Sequence, residues 1–184
     1  MKNSLLISII VTVFLACGSS SQKQAHSSSK ELDTMIKNQS FEITSHAAQP
    51  LMTAAMQQLA DSRLFTNGST AGNINITSHT NYLRMKNDSV MAILPFYGER
   101  QFGGGYNSPS GIEFEGVPKD LQIKKGKASS YDIRFSITDK HSNTDNYQVY
   151  IKLYPNLSST IQINSGSRSN IQFQGNVHAL DSIH

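Results

Sequence analysis

The sequence predicts an α+β fold: a meandering antiparallel sheet of about eight strands with one or two helices at its N-terminal side. Three observations lead there. From Ile74 nearly to the end, apolar residues recur at every second position. The runs are short and are separated by tight polar turns, which is the pattern of an antiparallel sheet with one wet face. Near the start, one segment instead repeats at the helical period.

That segment is Lys30 to Asn38. It carries Leu32, Met35 and Ile36 at i, i+3, i+4, with Ser29 as N-cap. Ser40 to Ser45 then alternates, with Phe41 and Ile43 opposite Glu42 and Thr44, and predicts a strand that Gln49-Pro50 breaks. Leu51 to Leu64 is rich in helix formers and predicts a second helix, followed by an Asn, Gly, Ser and Thr-rich loop from Thr66 to Asn73.

The strand series begins at Ile74 and Ile76. Tyr82 to Met85 leads through Asn87-Asp88, a hairpin turn, into Ser89 to Leu94, which Pro95 ends. Ile112 and Phe114 alternate with Glu113 and Glu115, and Leu121 and Ile123 precede a lysine-rich turn. Tyr131, Ile133, Phe135 and Ile137 form one inner row, and Tyr147, Val149, Ile151 and Leu153 form another. Thr160 to Asn164 and Asn170 to Val177 close the series.

Ahead of the domain stands a targeting pattern. Lys2 supplies a positive start, Leu5 to Leu15 are apolar, and Ala16 precedes Cys17, the only cysteine. The apolar stretch falls short of the roughly 20 residues that span a bilayer and fits a signal-peptide core. Residues 1–16 are therefore expected to be a lipoprotein signal peptide, with Cys17 the attachment site of acyl chains such as palmitate. Phe14 stands where a lipobox prefers Leu, Val or Ile. Each buried methylene contributes about 0.8 kcal/mol, so two or three chains would hold the protein on a membrane. Residues 17–29, serine-rich and almost without apolar residues, read as a flexible tether. Serines, Gln22 and Lys23 follow the cysteine in place of acidic residues, which points to an outer membrane location facing the periplasm.

Residues 30–184 make a single domain, with the last few residues frayed. With 16 Lys and Arg, 13 Asp and Glu and a formal charge of +3, the chain lacks the clustered basic surface that nucleic acid requires. Lys124, Lys125 and Lys127 around Gly126 read as a solvated hairpin tip. The six histidines show no metal-ligand spacing, so neither a metal nor a cofactor is expected. There is no Gly-x-Ser-x-Gly elbow, and Gly103-Gly104-Gly105 precedes a turn and not the helix that a phosphate cradle needs.

Two segments stand apart: Leu94 to Tyr106, with aromatics, a Glu-Arg pair and glycines, and Leu153 to Gly175, with a lone Arg168 in a turn. They contain Leu94-Pro95-Phe96-Tyr97-Gly98, Gly111-Ile112-Glu113-Phe114 and Ser165-Gly166-Ser167-Arg168. In these motifs the chain resembles a family of uncharacterised bacterial lipoproteins known only as a domain of unknown function. Its hallmarks are a Leu-Pro-Tyr-aromatic-Gly strand end, a Gly-Ile-x-Phe strand and a late Ser-x-x-Arg turn. Phe96 stands where that family commonly has Tyr. The resemblance covers roughly residues 41–177 and implies no activity.

Two roles fit these segments. In one, Pro95 and Gly98 turn the chain, Tyr97 and Phe102 cover the core, and Arg168 pairs with Glu99 or caps carbonyls. In the other, Tyr97, Glu99, Arg100, Tyr106 and Arg168 frame a recognition patch, since exposed Tyr and Arg are common binding anchors. The leading functional expectation is a non-catalytic, membrane-tethered binding or assembly module whose partner is an envelope protein or a glycan. The alternatives are a carrier that holds an apolar ligand such as lipid on a concave sheet face, and a hydrolase using Asp88, Glu99 or Glu113.

Overall fold

The computed structural model describes residues 20–61, 68–101 and 111–180. The signal peptide, Cys17, Phe102, the triple glycine, Tyr106 and the extreme C-terminus lie outside the described residues.

Helix α1 (Ser20–Asn38) leads into strand β1 (Ser40–Pro50) and helix α2 (Ala54–Asp61). Nine further strands follow: β2 (Ile74–Asn75), β3 (Tyr82–Lys86), β4 (Ser89–Leu94), β5 (Ile112–Gly116), β6 (Lys119–Lys125), β7 (Tyr131–Thr138), β8 (Asn146–Leu153), β9 (Ser158–Ser165) and β10 (Ile171–Ala179). All join one antiparallel sheet in the order β5-β4-β3-β1-β10-β9-β8-β7-β6, with β2 also paired to β1. The sheet curls into a half-barrel. The antiparallel sheet and N-terminal helix are as expected, but among the described residues the fold is broadly β-rich, with ten strands instead of about eight, and not clearly α+β. The 19-residue α1 and the 8-residue α2 do not form a layer of their own.

Alternation sorts the side chains as expected. Ile133, Phe135, Ile137, Tyr147, Val149, Ile151 and Leu153 are buried, while Asp132, Arg134, Gln148 and Tyr150 are exposed. The curl brings the two ends of the sheet together. Phe114 of β5 meets Phe135 of β7 edge-on at 6.1 Å and lies 6.1 Å from the Tyr147 ring. The Lys140 amide donates to the Glu113 carbonyl at 2.8 Å, so the β7–β8 turn rests on β5. Leu32, Met35 and Ile36 of α1 join this core. Tyr131 Oη and Lys125 Nζ donate to Asp33 Oδ1 at 2.6 and 3.0 Å and fasten the helix to the β6–β7 hairpin.

Three boundaries differ from expectation. Helix α1, Ser20–Asn38 among the described residues, reaches into the stretch read as a tether; no Pro or Gly interrupts the sequence between Ser20 and Asn38. Strand β1 runs on through Gln49-Pro50. Pro50 pairs with Ile171, but β2 ends its own pairing at Ala48, so the missing proline N–H falls where no second strand needs it. Between Ser45 and Ala47 the register shifts by a bulge. Buried Asn81 closes it: its Oδ1 accepts from the Ser45 amide at 2.8 Å and its Nδ2 donates to the Ser45 carbonyl at 3.0 Å. Helix α2 starts at Ala54, three residues after the expected Leu51, where the Thr53 hydroxyl accepts from the Met56 amide at 3.3 Å; residues 62–64 of the expected span lie outside the described residues.

Candidate functional site

The segment after β4 and the turn before β10 meet across a sequence gap of about 70 residues. The Gln101 amide donates to the Ser167 carbonyl at 2.7 Å, and the Ser169 amide to the Glu99 carbonyl at 2.9 Å. The Glu99 amide donates to Ser169 Oγ at 3.0 Å. A side chain at Gly98 would collide with Ser169 Oγ and with the Phe96 ring, so glycine is needed for this close approach. Glu99 is exposed and accepts from the Thr53 hydroxyl at 2.6 Å, which ties this segment to the start of α2.

Arg168 is the hub beneath the junction, and its side chain is buried, only 3% exposed. Nη1 donates to the Gly111 carbonyl at 2.6 Å. Nη2 lies 3.8 Å from Asp139 Oδ2, and Nε lies 3.9 Å from Asp145 Oδ2. The guanidinium sits over the Phe96 ring at 5.3 Å and the Tyr147 ring at 5.8 Å. Tyr147 donates to Asp139 Oδ2 at 2.5 Å. Burial, then this hydrogen bond, pushes the Tyr147 phenol far above its ordinary range, so it remains a neutral donor. One arginine thereby fastens the β9–β10 turn, the β7–β8 turn and the start of β5. Of the two arginine roles foreseen, carbonyl capping is present, while the ion-pair partners are Asp139 and Asp145 in place of Glu99.

The five residues of the expected patch are therefore distributed unevenly. Glu99, Arg100 and Arg168 come together through the backbone, since Arg100 and Arg168 form a bridge. Arg168, however, points inward, where its side chain lies beside Asp139 and Asp145 and not at the surface position an anchor would take. Tyr97 is half-buried against the core, where burial raises its pKa. Tyr106 lies outside the described residues. The three carboxylates of the hydrolase reading stand apart in their contacts. Asp88 accepts from Ser89, Glu99 from Thr53, and Glu113 faces His141 Nε2 at 3.0 Å. Among the described residues no cluster of three or more His, Cys, Asp or Glu is arranged to hold a metal.

A second region emerges only from strand register. Gln122, Arg134, Tyr150, Gln162, Gln172 and Gln49 are successive cross-strand partners from β6 through β7, β8, β9 and β10 to β1. They lie on the outer, convex face and form one transverse row. At a strand spacing of about 4.8 Å, six strands give a row roughly 24 Å long. A groove of about 420 Å³ lies over its β6–β9 part, bordered also by Lys124, Asp132, Lys152 and Tyr154. Neighbouring hollows continue it past Gln148 on one side and past Leu51 and Met52 on the other. Internal contacts hold the row's side chains. Arg134 donates to Gln122 Oε1 from Nε and Nη2 at 3.1 and 2.7 Å. Gln172 Nε2 donates to Gln49 Oε1 at 2.8 Å. The sequence shows each polar position by alternation, but not that the positions align, because alignment depends on the register of six strands. Lys124 of the lysine-rich turn borders this groove, while Lys125 is engaged with Asp33.

Residues 23–177 match the family described as a domain of unknown function, DUF4251. The chain belongs to this family. A crystal structure of a DUF4251 family protein from Bacteroides eggerthii DSM 20697 is similar in fold, with a TM-score of 0.54. The two are 18% identical, and the match covers 85% of this chain and 91% of that one. No curated protein matches the chain. Among the described residues no helix is long and apolar enough to cross a membrane.

Proposed function

We propose that the protein is a cell-envelope lipoprotein, anchored through acylated Cys17 and facing the periplasm, that works as a non-catalytic binding module. The observation that carries this reading is the outer-face groove over β6–β9. Its aromatic, amide and charged side chains stand on regular strands and are held by contacts with one another, which is how a rigid recognition surface is built. The inner face is given to the core, with Phe114, Phe135 and Tyr147 packed together. A tethered domain needs only one outward-facing surface of this kind to hold a partner near the membrane.

The test has two arms. Cys17→Ser should move the protein from the membrane to the soluble fraction. The lipidated protein should retain material from isolated envelopes through the groove, and a Tyr150→Ala/Lys152→Ala variant with unchanged melting should lose it. Equal retention by both forms, or by neither, would overturn the binding-module reading.

A further inference from the structure

The row across the outer face has a composition that selects among partners. Four of its six side chains are glutamines, one is Arg134, and one is Tyr150, which is 40% exposed. Carboxamides offer a donor and an acceptor on the same group, so a row of them matches a partner that carries both along its length. Tyr150 adds an apolar face with a polar tip, suited to the C–H face of a sugar ring. The row runs across the strands, so its groups repeat at the strand spacing of about 4.8 Å, close to the rise per sugar of an extended linear glycan. A peptide strand would instead seek a free sheet edge for its backbone, and this face is interior to the sheet.

Charge narrows the class further. The groove is bordered by three cations, Lys124, Arg134 and Lys152, and one anion, Asp132. Lys152 Nζ lies 3.3 Å from Asp132 Oδ1 and 6.0 Å from the centroid of the Tyr154 ring. Asp132 offsets one cation and leaves a net positive groove. Arginine forks and lysine ammonium groups favour carboxylates. Lys124 and Lys152 occupy the row beside the glutamines, since Lys124 pairs with Asp132 and Asp132 with Lys152. A glycan lying along the glutamine row would therefore pass its ring substituents beside these ammonium groups.

From this we infer that the outer-face row is a binding track for a linear polysaccharide bearing carboxylates, such as a polyuronate. The inference rests on the binding-module reading and specifies its ligand. Tyr150 supplies the platform, the glutamines bond the hydroxyls, and Arg134, Lys124 and Lys152 meet the carboxylates.

The experiment is calorimetric titration of the detergent-solubilised full chain with polygalacturonate, and with neutral hydroxyethyl cellulose for comparison. The expected result is binding to polygalacturonate that weakens with salt, as exposed charge pairs do, and much weaker binding to the neutral polymer. Tyr150→Ala should weaken polygalacturonate binding about tenfold or more, and Lys152→Gln should weaken it while reducing the salt dependence. Gln162→Ala provides a second readout in case the tyrosine variant melts early. Binding unchanged in these variants would remove the site. Equal, salt-independent binding of the neutral polymer would overturn the acidic class. No binding to polygalacturonate would overturn the proposal as a whole. If groove-dependent retention of envelope material survived that last result, the binding-module reading would stand with another partner. If it failed as well, both would fall.

Discussion

Two polar regions of this molecule use similar residue types to opposite ends. At the Arg168 junction, an arginine, a tyrosine and Asp139 are buried, Asp145 is partly covered, and the four turn on one another and tie three chain segments that are distant in sequence. Across the outer face, an arginine, a tyrosine and glutamines stand in a row at the surface and reach toward solvent. The difference teaches that a lone Arg or Tyr near a turn carries no functional meaning until its burial is known. Inside, the cost of taking charge out of water makes partners obligatory. Outside, neighbouring side chains and water share that role, and contacts such as Arg134 to Gln122 and Gln172 to Gln49 can give way to a ligand at small cost.

The contrast predicts a graded set of effects. The largest belongs to Arg168→Ala, which leaves buried Asp139 and partly covered Asp145 without their cation. Removing one partner of a buried pair costs about 3–5 kcal/mol, and thermal unfolding should fall by roughly 10 °C for a domain of this size. A change below about 2 °C would mean that the junction is not the structural hub. Phe114→Ala tests the same closure from its apolar side. It should cost about 3–5 kcal/mol by denaturant titration, because its ring meets both Phe135 and Tyr147.

Gly175→Ala comes next. An added Cβ would run into the Thr44 carbonyl and lie 2.7 Å from Ser45 Cα, at the edge of the β1 bulge. Backbone cannot yield as a flexible side chain does, so a loss of about 1–3 kcal/mol is expected from overpacking. Wild-type stability would show that β1 and β10 are less closely apposed than described.

Asp33→Asn should have a smaller effect, below about 1 kcal/mol, because Asp33 is partly exposed. Hydrogen bonds from Tyr131, then Lys125, hold its carboxyl below the ordinary aspartate range. A depressed folded-state pKa means that this contribution is fully present above the unfolded-state pKa and is lost as pH falls through the folded one. The stability gap between wild type and variant should therefore be constant at neutral pH and close only in the acid range. A gap that grew on acidification would refute the assignment. The smallest stability effect should be that of Tyr150→Ala, within about 0.5 kcal/mol as for other surface changes, although its effect on ligand binding should be the largest of the set.

Much of the fold was legible locally. Asn87 adopts a left-handed φ of 57° in the β3–β4 turn, as the Asn-Asp pair suggests. The inner rows of β7 and β8 follow their alternation, with Tyr131 at the end of β7 only partly buried. What escaped was of two kinds. Pro50 reads as a breaker because a sequence cannot show that the outer flank of β1 is unpaired at that point. Arg168 reads as a possible anchor because Gly111, Asp139 and Asp145, which surround it, come from other turns. The site was legible only in part for the same reason. Glu99 and Arg100 stand out in the sequence next to Gly98, but the glutamine row does not, since no two of its members are neighbours along the chain.

Periodicity, turn residues and the order of apolar and polar positions were enough to determine most of the strands, their inward faces and the helical character of Lys30 to Asn38. These depend on near neighbours and on the two-residue repeat of extended backbone, which any reader of the chain can count. The pairing of β1 with both β3 and β10, the curl that sets Phe114 on Phe135, the burial of Arg168 and the alignment of six outer side chains were decided only by the tertiary structure. Each depends on contacts between distant segments, whose register is chosen by the packing of the whole sheet.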